Sequence, residues 1–373
     1  MCTVENDKDF QFQPLPAIEH RPETNNLNAA AVTTAKATPG GAPAAAPPAG
    51  GPPAGGPPAG GPPGGGPQPA AAPAAAPPPA KDNYFPISFF LHPHNPTKPA
   101  VWKGKGFNTI WRPNSDPKSD HFLELNLTNE TLTFTQIPGN IPNRGLLQHD
   151  IDMFGITYLQ SISDANLNAG LHLEPGIWAR VPPTQDPLEP DTVVRMGSIP
   201  HGTVILAQGT PIPAFPGPPP FAVADITPFV IGNVAQKIPF PQESVLTNPS
   251  AFRSSGTQMN GITQGMVDNP NSVLSAALAG HTVIQTSATF IISTDEHPVP
   301  GGGTANTAFL KGTATGGKNA EAAQMTAIFW IEQVQAPGGK PPFLQLQYTQ
   351  NVLLNFAGLS WPHITVATLV LQP

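Results

Sequence analysis

The sequence predicts an all-β protein, an antiparallel β-barrel with long Pro-rich loop insertions behind a disordered leader rich in Pro, Ala and Gly. Three observations carry that prediction. Pro and Gly are unusually abundant, at 51 and 36 residues of 373, and much of the excess lies before position 80. After Lys81, β-branched and aromatic residues appear in short runs punctuated by Gly, Pro and Asn, the grammar of strands and turns. No stretch of comparable length carries the apolar spacing of an amphipathic helix.

From Pro39 to Pro79 the chain is almost entirely Pro, Ala and Gly, with PPAGG repeated in tandem from Pro47 to Gly61. A period of five is not a collagen triplet, and Pro mixed with Gly makes a partly extended, partly flexible spacer. The polar stretch before it has too little apolar surface to build a core. The predicted division is therefore 1–82 as a leader and 83–373 as one β-barrel domain, long enough to bury a large core without staples.

Within the domain the clearest alternation is HFLELNLTNETLTF. Leu123, Leu125 and Leu127 point one way and Glu124, Asn126 and Thr128 the other, and Asn129-Glu130 reads as the turn of a hairpin. Further strands are expected at Ile156 to Ser161, Gly170 to Val181, Thr192 to Ser198, Thr203 to Gln208, Thr282 to Ser293, Gln324 to Val334, Phe343 to Phe356 and His363 to Leu371. SVLSAAL, Ser272 to Leu278, is the best helical candidate, following Asn269-Pro-Asn and ending near Gly280. The Pro-dense stretches Pro182 to Pro190 and Pro211 to Pro220 cannot supply interior ladder donors, which predicts loops or rims. Long final strands favour a closed barrel over a sandwich, because closure removes exposed edges.

Composition excludes several classes of partner. Charged residues make up 11% and the formal net charge is −7, with no Lys/Arg run dense enough to neutralise several phosphates, so no nucleic-acid partner is expected. No apolar run reaches the ~20 residues of a membrane helix. The single cysteine, Cys2, excludes an intrachain disulfide and a Cys-based metal site. The first residues are acidic and polar where a secretory signal would place positive charge and then an apolar run. Together these predict a cytoplasmic protein, and a homo-oligomer is compatible with them.

Candidate chemistry centres on histidine. His172 and Glu174 are two apart in GLHLEPGIW, so on a strand both project to one face, where the carboxylate can orient the imidazole. His201 lies in the tight connection SIPHG, and His363 lies in SWPHITVATL with Thr365, Ala367 and Leu369 on its side by parity. His149, Asp150 and Asp152 in HDID lack the further ligands that a metal requires and read as a solvated edge. No GxSxG elbow, HExxH or phosphate-binding GxxxxGK[ST] is present, and no catalytic residue is assigned.

Taken in order, several strings resemble the nitrobindin-like heme-binding β-barrel family of the calycin superfamily, discontinuously over Val101–Leu371. Trp102-Lys-Gly-Lys-Gly106 resembles the family's opening W-x-G-x-G strand, and GLHLEPGIW its central H-x-E-x-G-aromatic segment. QMTAIFWIEQV and FLQLQYTQNVLLNF resemble its penultimate strands, and WPHITVATL its closing P-H-x-x-A-x-L strand. The resemblance implies a calycin-like barrel that binds heme, with His363 as the axial ligand to ferric iron. It further implies His172, Glu174, His201 and Trp178 around the cofactor, and chemistry on small reactive nitrogen or oxygen species. It leaves the Pro-rich insertions and the stretch around Phe240 to Gly280 unaccounted for. Two other roles stand beside it: a non-catalytic carrier of an apolar small molecule, and a surface or assembly module displayed on a flexible tether.

Overall fold

The computed structural model describes residues 82–295, 301–313 and 315–373, all within a compact unit spanning Ala76–Pro373. The predicted leader, apart from Asp82, lies outside the described residues. Ten antiparallel strands form the barrel: β1 (Ala100–Asp116), β2 (Ser119–Gln136), β3 (Ile151–Asp164), β4 (Gly170–Val181), β5 (Thr192–Ile199), β6 (Thr203–Gly209), β7 (Thr282–Ser293), β8 (Glu321–Gln335), β9 (Phe343–Phe356) and β10 (Leu359–Leu371). Each pairs with the next in sequence, and β10 returns to β1 with Trp102 opposite Leu371 and Thr109 opposite Ile364. Every strand thus has partners on both sides, as closure requires.

Two expectations are corrected. Asn129 and Glu130 do not turn the chain; they sit inside β2, opposite Lys105 and Gly104 of β1. Local turn preference is overridden because Glu130 is buried and accepts hydrogen bonds from Thr128 and Tyr348, so the alternation runs on unbroken to Phe134. The second concerns Pro211 to Pro220. Pro211 and Ile212 pair with Phe290 and Thr289, and Phe215 and Pro216 with Thr286 and Gln285. These residues carry the barrel wall from β6 onto β7, joined otherwise by a single pair, Ser293 with Gln208. Proline is tolerated because beyond Gly209, the last residue paired to β5, the chain has a ladder partner on one side only. Pro182 to Pro190 behaves as expected, forming a small separate hairpin.

The lower barrel is filled by aromatic side chains. A 3-10 turn at Ile87–Phe90 plugs this end, placing Phe90 against Phe134, Trp178, Phe290 and Phe329. Its carbonyl accepts the Trp102 indole N–H at 2.9 Å. A second core lies outside the barrel. Leu123, Leu125, Trp111, Ile364 and Val366 face outward yet are buried, covered by the excursion between β6 and β7. That excursion carries helices α1 (Pro241–Ser244), α2 (Gln264–Asp268) and α3 (Ser272–Ala277). It is anchored by Trp111 donating to the Ile226 carbonyl, and by backbone bonds between Leu123 and Phe252 and between Ser254 and Leu123. Among the described residues no helix is long and apolar enough to cross a membrane.

Candidate functional site

With the hydrophobic face of β2 turned outward, its even-numbered residues line an interior that becomes polar above the aromatic plug. There the barrel encloses a cavity of about 300 Å³, at the small end of the usual range for ligand sites. His172, His201 and His363 line it together, brought from β4, the β5–β6 turn and β10. Ile110, Ile162, Leu171, Ile199, Val352 and Leu354 supply its apolar surface.

His363 is the fifth residue of β10 rather than its first, because the strand begins at Leu359. It stands opposite Val352. Burial first, and then the nearness of His172 and His201, drive its imidazole down to about 3, so it is neutral across the physiological range. Its Nε2 lies 2.8 Å from the Asn108 amide nitrogen and 3.5 Å from Thr365 Oγ1. Across the next seam Asn108 faces Asn126. Asn126 donates to Asp164, while its own carbonyl oxygen is buried without a partner.

His172 is braced from behind. Its Nε2 lies 3.1 Å from Glu174 Oε2, and Glu174 is fully buried. The other carboxylate oxygen accepts from the Tyr158 hydroxyl and, at 2.7 Å, from Arg195. Burial opposes ionisation of Glu174, yet the Arg195 guanidinium, aided by His172 and Tyr158, outweighs it and holds the carboxyl well below its ordinary value. Arg195, 1% exposed, also donates to Gln350 of the cavity wall at 2.7 Å. A β-carbon on Gly197 would meet Glu174 Oε1 at 2.4 Å and the Tyr158 hydroxyl at 2.6 Å, so glycine leaves the room this bracing occupies.

Glu130 lies beneath the same floor, bonded to the Tyr348 hydroxyl at 2.5 Å and to Thr128 at 2.8 Å. Gln160 donates to Tyr348 at 2.9 Å. Lacking a bonded cation, Glu130 is pushed up by burial to about 7, against the lowering hydrogen bonds from Tyr348 and Thr128.

The structure therefore gathers His363, His172 and His201 around one cavity, with Glu174 behind His172. His201 approaches His172 with ring centroids 5.8 Å apart, and burial, then His172, lower its pKa against a backbone bond at Leu171. Trp178 is placed elsewhere. It shares the face of His172 but lies six residues along β4, roughly 20 Å at ~3.3 Å per residue, in the aromatic plug with Phe90 and Phe329. In HDID, Asp150 pairs with exposed Arg144, and Asp152 accepts from Asn140. The described residues contain no group of three His, Cys, Asp or Glu side chains able to hold a metal ion. Sequence reasoning missed Asn108, Tyr158, Arg195, Tyr348 and Gln350. Only Arg195 left a signal, a charge inside the apolar run TVVRMGSI.

No family model matches the chain, and neither does any curated protein. Among solved structures it is similar to the crystal structure of Rv2717c from M. tuberculosis, at 13% sequence identity and a TM-score of 0.33, over 78% of this chain and 98% of that one.

Proposed function

We propose that the barrel binds heme in the upper cavity, where His363 would ligate the iron. The observation that carries this reading is the donor set: the half-buried His363 imidazole in the cavity wall and, among the described residues, no group of three His, Cys, Asp or Glu side chains able to hold a metal ion. Zinc requires three or four protein donors. A metalloporphyrin brings its own four and asks the protein for one. The ordered likeness of five strings to nitrobindin-like barrels supports the same choice.

In this reading His363 would hold the iron, Ile110, Val352 and Leu354 would give apolar contact, and His172 and His201 would provide polar groups within the cavity. Glu174, bonded in turn to Arg195, would keep His172 in place. Bound ferric heme would supply an exchangeable coordination position for small ligands such as nitric oxide.

Hemin added to the purified chain is expected to give a Soret band that His363→Ala abolishes while the far-ultraviolet circular dichroism stays unchanged. No band in the parent, or an undiminished band in the variant, would defeat the assignment. The apolar part of the lining favours a second reading, a carrier of an apolar small molecule. Native mass spectrometry of the purified chain would then show such a compound retained and no heme.

A further inference from the structure

The close pairing of β1 with β10 puts Asn108 directly opposite Thr365. Its amide nitrogen lies 2.8 Å from His363 Nε2 and also 2.8 Å from Thr365 Oγ1. A carboxamide nitrogen carries two hydrogens and no available lone pair, so it donates to both. His363 Nε2 is therefore the acceptor, and the ring proton of the neutral imidazole resides on Nδ1. The Nε2 lone pair is the one a metal would take, and in this structure an uncharged hydrogen bond from the neighbouring strand occupies it. The second hydrogen of Asn108 bonds Thr365, two positions beyond His363, and so holds the amide over the ring in the free protein.

We infer that Asn108 is a displaceable cap on His363 Nε2: any ligand that bonds to this nitrogen must first break the Asn108 contact, so Asn108 sets the affinity of the cavity for such ligands. For a heme ligand the inference rests on the reading above; for the free protein it stands by itself. A neutral hydrogen bond of this kind is modest once exchange with solvent is counted, so its removal should tighten ligation roughly two- to tenfold. Ligands that merely fill the apolar part of the cavity leave the cap in place and gain nothing from its removal.

The test has arms with and without heme. In the free parent chain, nitrogen-15 NMR should show His363 protonated at Nδ1 and bare at Nε2; a proton on Nε2 overturns the inference. Asn108→Ala, with Asn108→Ser in reserve should alanine impair folding, should bind hemin two- to tenfold more tightly by Soret titration. Unchanged or weaker binding overturns it. Carbethoxylation of His363 by diethyl pyrocarbonate, followed by peptide mass spectrometry, should be faster in the variant. If neither protein forms a Soret band the heme reading falls, and the cap is decided by the other arms: faster modification supports it and an unchanged rate overturns it.

Discussion

Glu174 and Glu130 lie under the same cavity but are held differently, and the difference sets how each responds to pH. Glu174 is matched by Arg195 and stays ionised. Glu130 is bonded to the Tyr348 and Thr128 hydroxyls with no salt-bridge partner among the described residues, and its pKa rises through burial to about 7 from an ordinary 4.5. A carboxyl whose folded pKa is raised binds more protons folded than unfolded. Its contribution is complete below pH 4.5 and is lost as pH climbs through 7. His363 has the opposite sign: its pKa falls from 6.5 to about 3, so its contribution is complete above pH 6.5 and is lost on acidification toward 3. Glu130→Gln is neutral at every pH and should match the parent at about pH 4, below the unfolded value. At pH 8 it should be the more stable, by on the order of 3 kcal/mol at most. Urea midpoints for both proteins at the two pH values check this, and a pH-independent difference would sink it.

At the scale of the strand, the β1–β10 seam brings the two sides of the site together. It is unusually tight. A β-carbon at Gly104 would lie 1.9 Å from the Thr368 carbonyl oxygen and 2.8 Å from the Leu369 α-carbon, both backbone atoms that cannot swing aside. Gly104→Ala is therefore expected to cost about 3 kcal/mol or more by forcing the strands apart, whereas Gly256→Ala, with open space around it, should be close to neutral. Chemical denaturation of both variants distinguishes this from a general intolerance of added methyl groups. The glycines were visible in WKGKG, but the carbonyl they make room for belongs to the far end of the chain and leaves no mark beside them. Gly170–Val181, Thr282–Ser293 and Phe343–Phe356 were legible to the residue, because their own alternation and flanking turn residues define them. Asn129-Glu130 misled because a local turn signal was outweighed by a hydrogen bond to Tyr348, more than two hundred residues away. The histidines of the site are legible as residue types on strands and in a turn, and Arg195 as a charge in an apolar run; Asn108 is not, since its importance arises only from cross-strand register.

For the whole molecule, the barrel has two hydrophobic regions of different origin: an aromatic plug inside, and an outer layer where the excursion between β6 and β7 seals the leucine face of β2. The sequence displayed that leucine stripe without saying on which side of the wall it would lie, since alternation defines two faces and only an added layer decides which is dry. Closure has a further consequence. The β1–β10 ladder joins Trp102 to Leu371, so forming it closes a loop of nearly the whole domain, which the excursion lengthens. Contacts so distant in sequence make folding slow. Refolding from urea, followed through the buried tryptophans, should place its main phase at about milliseconds to seconds or slower. A dominant microsecond phase would mean that closing this loop does not limit how fast the barrel assembles.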